Sequence, residues 1–222
     1  MIERIKRMPA TAVLIIAILI GFAIEVYVGA LRDARILTYL GAIWAPLILG
    51  EGQYWRLLSA MFLHGDVLHL LMNLIALFQL GSLYELMFGT KRFTLIYFVT
   101  GLVASLTSMF ISGGPSVGAS GAIFGIMGAF IFSIRRSPRW RHERAAKGIV
   151  SQLIFWVIAN IAIAMKVPQI DLAAHMGGLV AGLILGGLLP HRVPPPPPAQ
   201  FVVDVTPYEG PGADPREQRS DR

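Results

Sequence analysis

Six long apolar stretches constrain this chain more than anything else: about 10–30, 67–88, 93–111, 117–134, 148–165 and 172–189. Each supplies the roughly 17–25 residues that a helix needs to cross about 30 Å of hydrocarbon. The expected fold class is therefore all-α, a polytopic membrane protein with six transmembrane helices. Composition agrees: the chain is 55% hydrophobic and 14% charged, with a mean hydropathy of +0.64, against roughly 25% charged residues in a soluble domain. The opening MIERIKRMPATAVLIIAILIGFAIEVYVGA reads as a first span rather than a removable signal, because its apolar run is about 20 residues long and no small-residue cleavage site follows a short core. The absence of cysteine excludes disulfides, thiol catalysis and thiolate metal sites.

The net charge of +6 reads as topology and not as nucleic-acid binding. Arg4, Lys6 and Arg7 precede the first span, and Lys91 and Arg92 divide the second from the third. Arg135, Arg136, Arg139, Arg141, Arg144 and Lys147 divide the fourth from the fifth, and Arg192 follows the sixth. The alternate connections 112–117 and 166–171 are poor in basic residues, and loop 31–66 balances Arg32, Arg35 and Arg56 against Asp33, Glu51 and Asp66. The positive-inside rule then puts both termini in the cytoplasm. The expected organisation is a cytoplasmic N-terminus (1–9), a six-helix membrane domain (10–190) and a disordered proline-rich cytoplasmic tail (191–222). Within the membrane domain, loop 31–66, with Trp44, Trp55 and Tyr54, is expected to lie in the outer interface.

This topology gathers scattered polar residues. Spans two, four and six run in the same direction, and His69, Asn73, Ser120 and His175 all fall in their first turns. At about 1.5 Å per residue they share a level on the order of 5–10 Å below the outer surface. Polar groups inside a span are costly and count as functional candidates. Ser120 needs a general base within reach, and His175 is the histidine that shares its helix with no such asparagine. His69 and Asn73, spaced i, i+4, lie on one helical face, and both can donate to an oxyanion. The Ser120 amide at a helix N-terminus is a third donor, and Gly118 and Gly121 leave room for a substrate backbone. Packing alone is the rival explanation. Gly121, Gly125 and Gly128 form a small-residue face, as do His175, Gly178 and Gly182, and such faces are ordinary at membrane helix interfaces.

Other hydrolase chemistries lack their residues. HExxH is missing, so a zinc protease is unsupported, and no aspartate lies mid-span for a two-aspartate mechanism. Glu25 is given no part in the cluster, and Glu85, near the far end of span two, reads as a structural hydrogen-bond partner. With no acid assigned to orient His175, a dyad is expected rather than a triad.

The motifs GASG (118–121), HLLMN (69–73) and AHMGGLVAG (174–182), with YWR (54–56) and the run FLHGDVLHLLMNLIAL, resemble those of rhomboid intramembrane serine proteases. The resemblance covers the first loop and spans two to six. It implies a six-helix fold with a water-filled cavity open to the outside. It also implies cleavage of single-span or multi-span membrane protein substrates near the outer face of the lipid bilayer, without metal, cofactor or nucleotide. Ser120 is then the nucleophile and His175 the base, with His69, Asn73 and the Ser120 amide around the oxyanion and Gly118 beside it. Phe124, Gly178, Gly182, Arg56 and Glu85 are implied supports, Phe124 standing where some members carry a tyrosine against the catalytic histidine. A bacterial plasma membrane is the expected location. The alternative is a non-proteolytic protein of the same fold that binds client transmembrane helices. A small transporter is a further rival, disfavoured because the polar residues gather at one side of the membrane.

Overall fold

The computed structural model describes residues 8–138, 140–167 and 169–189. The expected disordered tail at 191–222 and most of the N-terminal segment lie outside the described residues. Every regular element described is helical. The long helices are α1 (Pro9–Tyr27), α5 (Val67–Phe88), α6 (Thr90–Ile111), α7 (Ser120–Arg136), α8 (Arg144–Ala164) and α9 (Leu172–Leu188), and α2 (Ala34–Leu40), α3 (Ala45–Glu51) and α4 (Arg56–Ser59) fold the loop after α1. Four of them, α1, α5, α6 and α8, are long and apolar enough to cross a membrane, and α9 is a shorter apolar helix.

Helix α7 is the centre of the molecule. Every residue from Gly121 to Ile131 is buried, which is how a helix behaves when it is surrounded on all sides. Its close neighbours are α9 and α6. The contact with α9 is made by small residues. A methyl group built on Gly178 lies 2.0 Å from the Gly121 carbonyl oxygen, and one on Gly182 lies 1.9 Å from that of Gly125. Only glycine permits backbones to approach so closely. Packing therefore accounts for much of the glycine pattern, as the bland reading expects. Leu70, Leu77, Phe93, Ile96, Tyr97, Phe124, Ile126 and Phe130 complete the main core.

Helix α5 is not regular. Its middle, Leu77–Gly81, is a wide π turn, and Gly81 there faces the Phe93 ring. Below that turn, Glu85 reaches the first turn of α1, accepting from the amides of Ala10 (3.0 Å) and Thr11 (2.8 Å) and from the Thr11 hydroxyl (2.7 Å). A carboxylate fits a helix N-terminus, whose first amides lack intrahelical acceptors.

Loop 31–66 is folded rather than extended. The buried Arg56 guanidinium donates to Gln53 Oε1 (2.7 Å) and to the carbonyls of Thr38 and Ala42, holding α2 to α4. Tyr39, Tyr54 and Trp55 are exposed, the aromatic surface that suits a membrane interface.

The fourth apolar stretch differs from its sequence boundaries. A helix beginning at 117 is expected, but α7 begins at Ser120. Ser116 pairs with Ile43 in an antiparallel bridge, the Gly118 amide donates to Ala60 O (2.9 Å), and Gly118 has φ +129°. Those bonds to the preceding loop hold residues 116–118 outside helical geometry, and the chain enters the helix only at the serine.

Candidate active site

Ser120 is the first residue of α7, with Ala119 at the cap position and no side chain bonded there. The amides of the first turn of a helix lack intrahelical acceptors and face outward with the positive end of the helix dipole. From α9, one turn inside its start, His175 brings Nε2 to 2.8 Å from Ser120 Oγ. This is the separation of a nucleophile from its base. Phe124, one turn along α7, stacks on the imidazole with ring centroids 4.2 Å apart and an interplanar angle of 11°. The histidine is thereby held between the serine and a phenylalanine face.

His175 is buried, and its Nδ1 has no hydrogen-bond partner among the described residues. No carboxylate is bound to it. The nearest acid along the chain is Asp171, the cap of α9, and its oxygens are engaged elsewhere: they accept from Ser112 Oγ (2.6 Å), Ser108 Oγ and the Ala174 amide (2.9 Å). Burial alone raises this carboxyl, but the bonds from the Ser108 and Ser112 hydroxyls and the Ala174 amide work against it, and Asp171 is held below its ordinary value.

His69 and Asn73 stand on the neighbouring face of α5. Asp66 caps that helix by accepting from the His69 amide at 2.8 Å. The His69 ring reaches Gly118, where an added methyl would lie 2.8 Å from Nε2 and 3.7 Å from Ser120 Oγ. His69 therefore borders the serine, and Gly118 is required both by its positive φ and by the lack of space. His69 Nδ1 lies 2.8 Å from the His64 carbonyl, which can only accept, so that nitrogen carries the proton. Nε2 is then an acceptor in the neutral ring and a donor only in the imidazolium. Asn73 is buried and spends one of its two amide protons on the His69 carbonyl at 2.9 Å. The other remains for a ligand.

Three residues given no part by the sequence are in contact with the segments that carry these groups. His64, in the loop 31–66, is buried, and its ring meets that of His69 edge to face at 5.1 Å. Buried Glu25 of α1 accepts from the amides of His64 (2.9 Å) and Gly65 (2.8 Å). Asp171 is the third. The signal for Glu25 was its charge within an apolar run, which by default marks a residue with a partner. Of the implied supports, Gly178 and Gly182 pack α9 against α7, Arg56 braces the loop and Glu85 braces α1 far from the site. Among the described residues there is no cluster of His, Asp and Glu able to hold a metal ion.

Fold and site together describe an integral membrane protein whose buried helix starts at a serine and whose neighbour presents a histidine to it. Residues 51–192 match the Rhomboid domain, and the chain belongs to the rhomboid family. It is 36% identical over 172 residues to Rhomboid protease GluP of Bacillus subtilis, covering 78% of this chain and 33% of that protein. Over 155 residues it is 36% identical to RHOMBOID-like protein 6, mitochondrial, of Arabidopsis thaliana (69% and 49%). Rhomboid-like protease 3 of Toxoplasma gondii is 35% identical over 155 residues (69% and 58%). The chain thus spans between a third and three fifths of the length of these relatives. Their sources do not single out a bacterial membrane.

Proposed function

We propose that this protein is an intramembrane serine endopeptidase working through a Ser120–His175 dyad. The observation that carries this reading is the 2.8 Å contact between Ser120 Oγ and His175 Nε2 at the half-buried start of a buried helix. Ser120 attacks a substrate carbonyl carbon while His175 Nε2 takes the hydroxyl proton. The tetrahedral oxyanion is met by the Ser120 amide and the free Asn73 N–H, and by His69 when its ring carries both protons. His175 then gives its proton to the leaving amine, and the acyl-enzyme is hydrolysed by water that His175 activates in turn. Phe124 keeps the imidazole in plane with the serine through this exchange. The substrate must unwind locally, since a helical peptide bond is shielded by its own hydrogen bonds, so helix-breaking or small residues in the substrate favour cleavage.

The membrane arrangement belongs to the same proposal. Six spans follow from the six apolar stretches, and both termini in the cytoplasm with the dyad near the outer face follow from Lys91 and Arg92 in the first turn of α6 and from Arg135, Arg136, Arg139, Arg141, Arg144 and Lys147 around the α7–α8 connection. The substrates are single-span or multi-span membrane proteins, and the location is a bacterial plasma membrane. Cell fractionation and cysteine-accessibility mapping of the termini test these points.

The deciding experiment is cleavage of a single-span reporter in proteoliposomes by the intact protein and by Ser120→Ala. Cleavage by the intact protein alone is expected. Equal cutting by both leaves Ser120 as packing and overturns the dyad. Binding without cutting by both makes the protein a client-helix binder.

A further inference from the structure

The dyad joins side chains from two helices, α7 and α9, and something must set how far α9 slides along α7. The small-residue interface sets the distance between the helices, but smooth glycine faces resist sliding poorly. Asp171 supplies a polar lock. Its backbone carbonyl accepts from the His175 amide (3.2 Å) and its carboxylate caps the same turn through Ala174. The other bonds to that carboxylate come from Ser108 and Ser112, one turn apart near the end of α6. One carboxylate therefore ties the turn that carries the base to the end of α6. Charge-assisted bonds of this kind are about twice as strong as neutral ones.

Resting on the protease reading, we propose that Asp171 is a positioning residue for the dyad, locking α9 at the height where His175 meets Ser120. It touches neither reacting atom and acts through the first turn of α9. The Ser108–Ser112 pair on α6 is its counterpart. The acid that a serine hydrolase elsewhere places against its histidine is here placed against that histidine's helix.

The test uses the full-length protein in proteoliposomes and compares Asp171→Ala, Asp171→Asn and the paired Ser108→Ala, Ser112→Ala variant. Reporter cleavage and the rate of Ser120 labelling by a fluorophosphonate are both read per folded molecule. Asp171→Ala should lower kcat and labelling by about 10- to 100-fold with KM nearly unchanged, as a misplacement of about 1 Å does. The serine pair, which keeps the helix cap and cuts only the tie to α6, should lose a similar amount. Asp171→Asn, which keeps an acceptor for the Ala174 amide and a serine, should recover part of the loss. Unchanged kcat and labelling in both variants, with only a lower unfolding temperature, overturns the positioning role while leaving the protease reading intact. An intact protein that neither cleaves nor labels overturns both together.

Discussion

The α7–α9 interface makes a graded prediction from three glycines on one face of α9. An added methyl meets backbone 2.0 Å away at Gly178, 1.9 Å away at Gly182 and 2.8 Å away at Gly186. Ordinary contact begins near 3.4 Å, so Gly178→Ala must part the two backbones by about 1.4 Å to bring 2.0 Å to that distance. Backbone cannot swing aside as a side chain can, and overpacking of this kind costs about 1–3 kcal/mol. Gly178 lies one turn from His175, and its obstacle, Gly121, is the neighbour of Ser120. Parting there stretches the dyad's 2.8 Å contact to about 4 Å, past the hydrogen-bond limit of about 3.2 Å. Gly182→Ala should destabilise as much as Gly178→Ala, since its overlap is the same, and Gly186→Ala should destabilise least. Activity should follow a different order, set by distance from the dyad: about 100-fold lost at 178, about 10-fold at 182 and a few-fold at 186. Thermal unfolding in detergent gives the first series, and fluorophosphonate labelling per folded molecule gives the second. Wild-type labelling by Gly178→Ala, or the greatest activity loss at Gly186, refutes the claim that this interface sets the dyad distance.

Phe124→Ala removes the stacked face from His175 and should slow cleavage by about 3- to 10-fold, the worth of a ring contact of about 0.5–1.5 kcal/mol; Phe124→Tyr, which keeps the face, should retain most activity in the same assay. Asn73→Ala should lower kcat by about 10²–10³ if it is an oxyanion donor, with KM nearly constant in steady-state reporter cleavage. His64 gives a pH dependence: burial first, and the neighbouring His69 second, push its ring down to about 3 from the ordinary 6.5. The unfolded chain therefore binds a proton that the folded chain refuses. The stability that His64 contributes is complete above pH 6.5 and is lost progressively as pH falls toward about 3. The unfolding midpoint should drop across that window, and His64→Gln should flatten the drop.

The apolar helices and the approach of His175 to Ser120 were legible for one shared reason. Hydrocarbon forces an apolar run of fixed length, and against that background Ser120, His175, His69 and Asn73 stand out as polar residues early in their helices. Their common level then follows from helix direction alone. The start of α7 was not legible, because residues 116–118 are held out of the helix by bonds to Ile43 and Ala60, far away in sequence. Asp171 looked like an ordinary residue of a short connection; its meaning comes from Ser108 and Ser112 on another helix. Glu25 and His64 were hidden likewise, since α1 must first fold against the loop before the carboxylate finds the 64–65 amides. Phe124 was legible through the resemblance, which implies a ring against the histidine, and its place one turn from Ser120 on the same helix agrees with that.

The wide turn at Leu77–Gly81 has its own consequence for α5. Asn73 and Glu85 are twelve positions apart, and a regular helix at about 100° per residue would set them about 120° apart around the axis. A π turn takes up one extra residue, which swings the far half back and leaves the two within about 20°. One helix can thus turn both polar residues inward, Asn73 buried beside His69 and Glu85 toward the first turn of α1. The bulge works as a phase shifter, uncoupling the azimuth of the His69–Asn73 end from that of the Glu85 end, so that neither has to compromise its aim for the other.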